Sequence, residues 1–225
     1  MKLIKTILLG AAIAGAGQAL AADQFVALPS YRVGPYAAGG SGIYGGMIDY
    51  FNLVNANGGI NGVKMSWEEC ETEYNASRGV ECYERLKTKN GGATLVDPLS
   101  TGIAYGIVDR VAVDKIPMTM LGYGRSDAAN GKVFPYVFPL VTSYWNQAAA
   151  MIKYLADKNG GYPKLKGKKI VYLYHDSAFG KEAMPVLDAQ AAQYGFELVK
   201  IAVAPPGSEQ QSQWLQIRQA KPDHV

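Results

Sequence analysis

Four short segments carry residue types that could do chemistry. Asp97-Pro98-Leu99-Ser100-Thr101-Gly102 offers two hydroxyls at the opening of a helix. Unpaired backbone N–H groups at a helix start suit an anion such as a carboxylate. Capping of that helix by Ser100 or Thr101 explains the same pattern, and local grounds leave both readings open. In Leu121-Gly122-Tyr123-Gly124-Arg125-Ser126 the glycines let backbone groups approach a ligand. Tyr123 adds an apolar face with a polar tip, and Arg125 either pairs with an acid or stays solvated. His175-Asp176-Ser177 suggests a hydrolytic triad, but neighbouring positions are not expected to converge as a triad must. The chain has two histidines, His175 and His224, so hydrolase and metal chemistry find little support and neither metal nor cofactor is expected. Asp176 or Ser177 is expected to cap the following helix, with Phe179 facing a cleft.

The fourth segment, Gly40-Ser41-Gly42-Ile43-Tyr44-Gly45, matches G-x-G-x-x-G literally. Glu68 and Glu69 even fall near the place of a ribose-binding acid. A dinucleotide site needs its glycines in the first tight turn after strand one. Here that strand ends near Leu28, and Gly40 follows about a dozen residues later. The segment reads better as a flexible loop whose amides at a helix start meet an anionic group. Asn75-Ala76-Ser77 is a glycosylation sequon by pattern only. The 15 tyrosines fit a cleft that stacks on organic ligands and fit ordinary core packing equally.

The elements that must position these residues alternate between extended and helical patterns. Strands are expected at 24–28, 63–69, 93–96 and 116–120, with a further extended segment at 134–140 broken by Pro135 and Pro139. Helices are expected at 43–55, from Asn75 or Ser77 to about Lys87, and at 103–113. A second series has helix 144–158, strand 169–174, helix 179–194 kinked or restarted at Pro185, strand 196–203 and helix 210–220. The last five residues resemble the entry to another strand. Such alternation implies an α/β fold with parallel sheets. In such sheets ligands bind beyond the carboxyl ends of the strands. The break at Pro139 to Ser143 divides lobe one, 23–141, from lobe two, 142–225. Two complete strands make a poor sheet, which predicts that the sequence is a piece of a longer chain.

Residues 1–22 read as a secretory signal peptide: Lys2 and Lys5, an apolar run from Ile7 to Ala16, then Ala19-Leu20-Ala21. A membrane anchor is the competing reading, but spanning needs about 20 apolar residues and this run is shorter. Export places the chain outside the cytoplasm, away from nicotinamide cofactors, ATP and chromosomal DNA. Composition agrees with a packed fold: 48% hydrophobic and 18% charged, against disorder. The net charge is +3, two units of which belong to Lys2 and Lys5, so no nucleic-acid surface is indicated. Cys70, at the end of strand two, and Cys82, in the second turn of the next helix, are expected to be bridged in an oxidising compartment. Two buried thiols are the alternative.

These parts, in this order, resemble the branched-chain amino-acid-binding family of ABC-transporter periplasmic proteins (leucine/isoleucine/valine type). Asn55-Ala56-Asn57-Gly58-Gly59-Ile60-Asn61-Gly62 matches the family's N-x-x-G-G-I-x-G helix end. Gly34-Pro35-Tyr36 and the glycines after it, Gly39 included, look like its first ligand loop. The resemblance spans residues 23–225. It implies a type I periplasmic binding-protein fold of two lobes closing on a small ligand, with the second lobe incomplete. It places Ser100 and Thr101 on the ligand carboxylate, Gly122, Tyr123 and Gly124 on its amino and carboxylate groups, and Phe179 on the second-lobe wall. It also implies a monomer that delivers its ligand to ABC permease subunits in the membrane. Ala37-Ala38-Gly39-Gly40 departs from the bulky first loop common among members that bind aliphatic amino acids. An aromatic acid, an amide and another organic acid therefore remain open as ligands. The expected function is a non-enzymatic periplasmic solute-binding protein for a small carboxylate-bearing ligand. Its rivals are a sensory receptor domain of the same fold and a secreted α/β enzyme.

Overall fold

The computed structural model describes residues 23–120, 124 and 126–225. The candidate signal peptide therefore lies outside the described residues, as do Gly122, Tyr123 and Arg125. The first series contains β1 (Gln24–Ser30), α1 (Ala37–Ala56), β2 (Met65–Glu71), α2 (Ala76–Leu86), β3 (Leu95–Val96), α3 (Thr101–Asp114), β4 (Met118–Met120) and β5 (Val137–Pro139). The second contains α4 (Tyr144–Asn159), β6 (Lys169–His175), α5 (Ala178–Lys181), α6 (Met184–Tyr194), β7 (Glu197–Val203) and α7 (Gln211–Ala220).

The first five strands form one sheet in the order β2-β1-β3-β4-β5, and every pairing is parallel. Gln24 is in register with Met65, Val26 with Leu95 and Met118 with Val137. β1 is an interior strand, flanked by β2 and β3 and buried after its first residue, which is why it reads as a near-continuous apolar run. Its alternate side chains separate two layers. Phe25 and Ala27 join Tyr83, Leu86, Ile103 and Ile107 of α2 and α3. Val26 and Leu28 join Tyr44 and Phe51 of α1.

β6 and β7 pair in parallel, with Lys169 opposite Glu197. A parallel bridge between Ile170 and His224 begins a further pairing on β6. Ile152, Leu165, Leu187 and Phe196 pack on one face of this sheet; Ile201 and Ile217 pack with Val171 on the other.

Local signals explain the helix ends. Asn75 Oδ1 accepts from Arg78 N at 3.0 Å, Ser100 Oγ from Ile103 N at 3.3 Å and Ser143 Oγ from Asn146 N at 3.2 Å. Each satisfies one otherwise orphaned N–H. Gly160 and Gly195 close α4 and α6 in the left-handed conformation. Pro185 is the second residue of α6, and the chain restarts there after the short α5. No helix among the described residues is long and apolar enough to cross a membrane.

One expectation fails plainly. The glycine-rich segment is not a flexible loop: Gly39 to Gly46 lie in the first turns of α1, which begins at Ala37. Packing overrides the low helix propensity of glycine. A Cβ at Gly40 would lie 1.9 Å from the Tyr31 carbonyl oxygen, so glycine here lets α1 close onto the exit of β1.

Candidate ligand-binding cleft

The carboxyl ends of the two sheets face one another, and the space between them forms two connected cavities. One, of about 330 Å³, is bounded by Tyr36, Tyr74 and Ser100 from the first sheet's loops and by His175, Ser177 and Phe179 from the second's. The other, of about 500 Å³, shares Tyr36, Tyr74, His175 and Phe179 and extends to Tyr31 and Tyr144. Both volumes fall in the range of small-molecule sites, roughly 300–1,000 Å³.

Each wall residue follows the end of an element. Tyr31 comes directly after β1, and Tyr36 precedes α1. Tyr74 is in the turn between β2 and α2, where it and Glu73 hold positive φ angles of 63° and 51°. Thr72 fixes this turn: its Oγ1 donates to Ser30 O at 2.9 Å and accepts from Tyr74 N at 3.2 Å. A disulfide between Cys70 and Cys82, with Cα atoms 5.5 Å apart, ties the two ends of the same turn together. Leu99, just before Ser100, also has a left-handed φ of 47°, a strained geometry for a bulky residue.

The polar groups of the cleft are mostly uncharged. Burial raises the phenol of Tyr36 above its ordinary value. It raises that of Tyr74 too, against the pull of the Ser100 hydroxyl. Tyr31 is pushed up to about 12, by burial first and then by Tyr74 and Asp97. Glu73, on the rim of the smaller cavity, is paired with Arg78. Below the floor, Asp97 is 2% exposed. Its carboxylate accepts from Thr119 Oγ1 at 3.0 Å and from Leu99 N at 3.2 Å. Burial lifts its pKa to about 6 despite both bonds.

Of the residues singled out in the sequence, Tyr36 and Phe179 line both cavities, Ser100 the smaller and Gly39 the larger. Gly39 does so from within α1. Thr101 is buried and borders neither cavity; Gly102 borders the smaller instead. Gly124 is buried behind Thr101, and a Cβ on it would come within 2.5 Å of Thr101 Oγ1.

The triad reading needs one correction. His175 and Ser177 do meet, with His175 Nδ1 and Ser177 Oγ 2.8 Å apart. Ser177 is the residue before α5 but makes no side-chain cap, because its hydroxyl is engaged by the imidazole. Asp176 turns away to Lys181, 2.5 Å distant, so no carboxylate among the described residues completes a relay.

Tyr31, Tyr74 and Tyr144 were not singled out by the sequence. The available signal was their position, within a few residues of a strand end or of a helix start near the lobe boundary.

The family model described as "Periplasmic binding protein" matches residues 23–225. Among curated proteins none matches the sequence. A solved structure described as an ABC transporter permease from the Pseudomonas fluorescens group is 49% identical with a TM-score of 0.74; 90% of this chain aligns to 49% of that one. A solute-binding protein of an ABC transporter from R. palustris, in complex with benzoate, is 22% identical with a TM-score of 0.74, over 90% of this chain and 55% of that one. A fatty acid ABC transporter substrate-binding protein from Thermomonospora curvata is 20% identical with a TM-score of 0.73, over 89% and 49%. The chain thus spans about half the length of these relatives.

Proposed function

Because this chain belongs to the periplasmic binding protein family, we propose that it is the solute-binding component of an ABC importer, working in the periplasm. It holds a small carboxylate-bearing ligand between its two sheets and presents it to membrane permease subunits. The observation that carries this reading is the cleft itself. Loops at the carboxyl ends of both sheets supply its walls, the place where ligands bind in open parallel sheets. Ser100, Gly102 and the opening of α3 offer hydroxyl and amide donors to a carboxylate, and Tyr36 and Phe179 offer apolar faces. In this reading Thr101, Gly122, Tyr123 and Gly124 also serve the ligand's polar groups. The ligand class is supported by this donor set and by the solutes named for two relatives of the same fold, benzoate and fatty acid. Residues 1–22 direct export, and lobes 23–141 and 142–225 close over the ligand as populations shift towards a shut form.

Calorimetry of the full chain against a broad panel of amino acids, aromatic acids and aliphatic acids tests the reading. At least one should bind with a dissociation constant below about 100 µM, or roughly 5.5 kcal/mol. No heat from any member of that panel would overturn it.

A further inference from the structure

The inference rests on the solute-binding reading and adds a residue behind the wall that faces a ligand carboxylate. Between the end of β3 at Val96 and the start of α3 at Thr101 the chain turns from sheet to helix. The turn, Asp97 to Ser100, delivers Ser100 and Gly102 to the smaller cavity. It passes through Leu99 at a φ of 47°. A bulky residue keeps a left-handed backbone only where its surroundings impose it, and such positions cluster at binding sites.

Two buried side chains impose it. One oxygen of the Asp97 carboxylate accepts from Leu99 N at 3.2 Å, and the other from Thr119 Oγ1 at 3.0 Å. Thr119 belongs to β4, which pairs with β3, so the carboxylate clamps the turn to the neighbouring strand. Tyr44 of α1 holds the carbonyl between: its hydroxyl lies 3.1 Å from Pro98 O and 2.9 Å from Pro29 O. Asp97 and Tyr44 are buried, and neither borders the cleft cavities. Ser100 uses the position so fixed. Its Oγ accepts from Ile103 N at 3.3 Å, which ties the cleft hydroxyl to the first turn of α3. Relaxation of Leu99 to an ordinary φ would therefore move that hydroxyl together with the amides that follow it.

We propose that Asp97 is a positioning residue for ligand binding. By joining Leu99 N to Thr119 it fixes the turn that sets Ser100 and Gly102 against a ligand carboxylate, which it does not itself touch. Alanine at this position would leave two buried donors without their partner, a costly state. Asparagine keeps an acceptor for Leu99 N, and the Thr119 hydroxyl can rotate to accept from its amide.

The full chain is titrated calorimetrically near neutral pH with amino, aromatic and aliphatic acids, leucine, phenylalanine, benzoate and hexanoate among them. The tightest of these is the probe for the variants. Asp97→Ala should weaken it about fivefold or more at a temperature where the variant is fully folded, as loss of a hydrogen bond to a charged group allows. Asp97→Asn should return the affinity to within about twofold of wild type. Thr119→Val removes the second donor and should weaken the probe about threefold; it carries the test if Asp97→Ala does not fold. A residue that only supported the fold would lower the melting temperature and leave the affinity of folded protein unchanged. That result, or an Asp97→Asn variant as weak as Asp97→Ala, overturns the inference and leaves the solute-binding reading intact. No heat from wild-type protein with any member of the panel overturns both.

Discussion

The Tyr36 hydroxyl oxygen and His175 Nε2 lie 2.6 Å apart, although 139 positions separate them in sequence. One residue comes from the loop after β1 and the other ends β6, so this single contact spans the cleft. The imidazole bridges two hydroxyls, with Ser177 Oγ 2.8 Å from Nδ1 and the Tyr36 hydroxyl at Nε2. Both residues border both cavities.

Tyr36→Phe removes this bond and keeps the ring. A net hydrogen bond contributes about 0.5–1.5 kcal/mol, which corresponds to a roughly two- to twelvefold shift in the balance of open and shut forms. X-ray scattering of the unliganded chain should show a larger radius of gyration for the variant. Identical scattering would mean that the contact does not hold the two sheets together.

Gly40 and Gly42 are two residues apart in one helix, yet they should respond oppositely to alanine. At Gly40 the new methyl would meet the Tyr31 carbonyl oxygen at 1.9 Å. Forcing α1 off the sheet should cost about 1–3 kcal/mol. At Gly42 nothing lies within 4 Å, and alanine should raise stability by about 0.5–1 kcal/mol through helix propensity. Urea midpoints of the two variants provide the comparison, and equal shifts would contradict the packing described for Gly40.

Asp97 should make the fold less stable as the medium becomes less acid. Its carboxyl titrates near 6 in the folded chain, against an ordinary 3.8. Between these values the folded state holds the proton and the unfolded state does not. Stability is therefore greatest below about pH 4 as far as this group is concerned, and is lost as pH rises through about 6. The cost at neutral pH is on the order of 3 kcal/mol. Asp97→Asn should remove the slope between pH 4 and 6 and raise stability at pH 7. A variant that retains the wild-type slope would assign that slope to another group.

Reduction of the Cys70–Cys82 bridge should lower stability by about 3 kcal/mol, as expected for a short closed loop. Its partners are 12 residues apart in sequence and enclose the Tyr74 turn. Urea denaturation with and without reductant measures the loss. A Cys82→Ser variant insensitive to reductant serves as the control, and equal midpoints for oxidised and reduced wild type would count against a structural bridge.

Much of this architecture was legible in the sequence because the relevant signals are local. Apolar spacing along Phe25 to Leu28 and Ile170 to Leu173 marked buried strands. Asn75 and Ser100 marked helix starts, and Gly160 and Gly195 marked ends. Ser100 and Phe179 could be assigned to the cleft because parallel sheets place ligands at strand ends, and Tyr36 through the resemblance of its loop to the family's first ligand loop. The glycine-rich start of α1 misled for a physical reason. Glycine favours loops on its own, and only contact with the Tyr31 backbone shows why a helix needs it there.

The sequence by itself determined the alternation of strands and helices and the end of each sheet where a ligand belongs, since both depend on neighbours within a turn or two. Only the tertiary structure decided which side chains converge there. Tyr31, Tyr74 and Tyr144 join Tyr36, His175 and Phe179 because strand order and the approach of two sheets bring distant loops together. No periodicity along the chain records that approach, so the ring-lined cleft exists only in three dimensions.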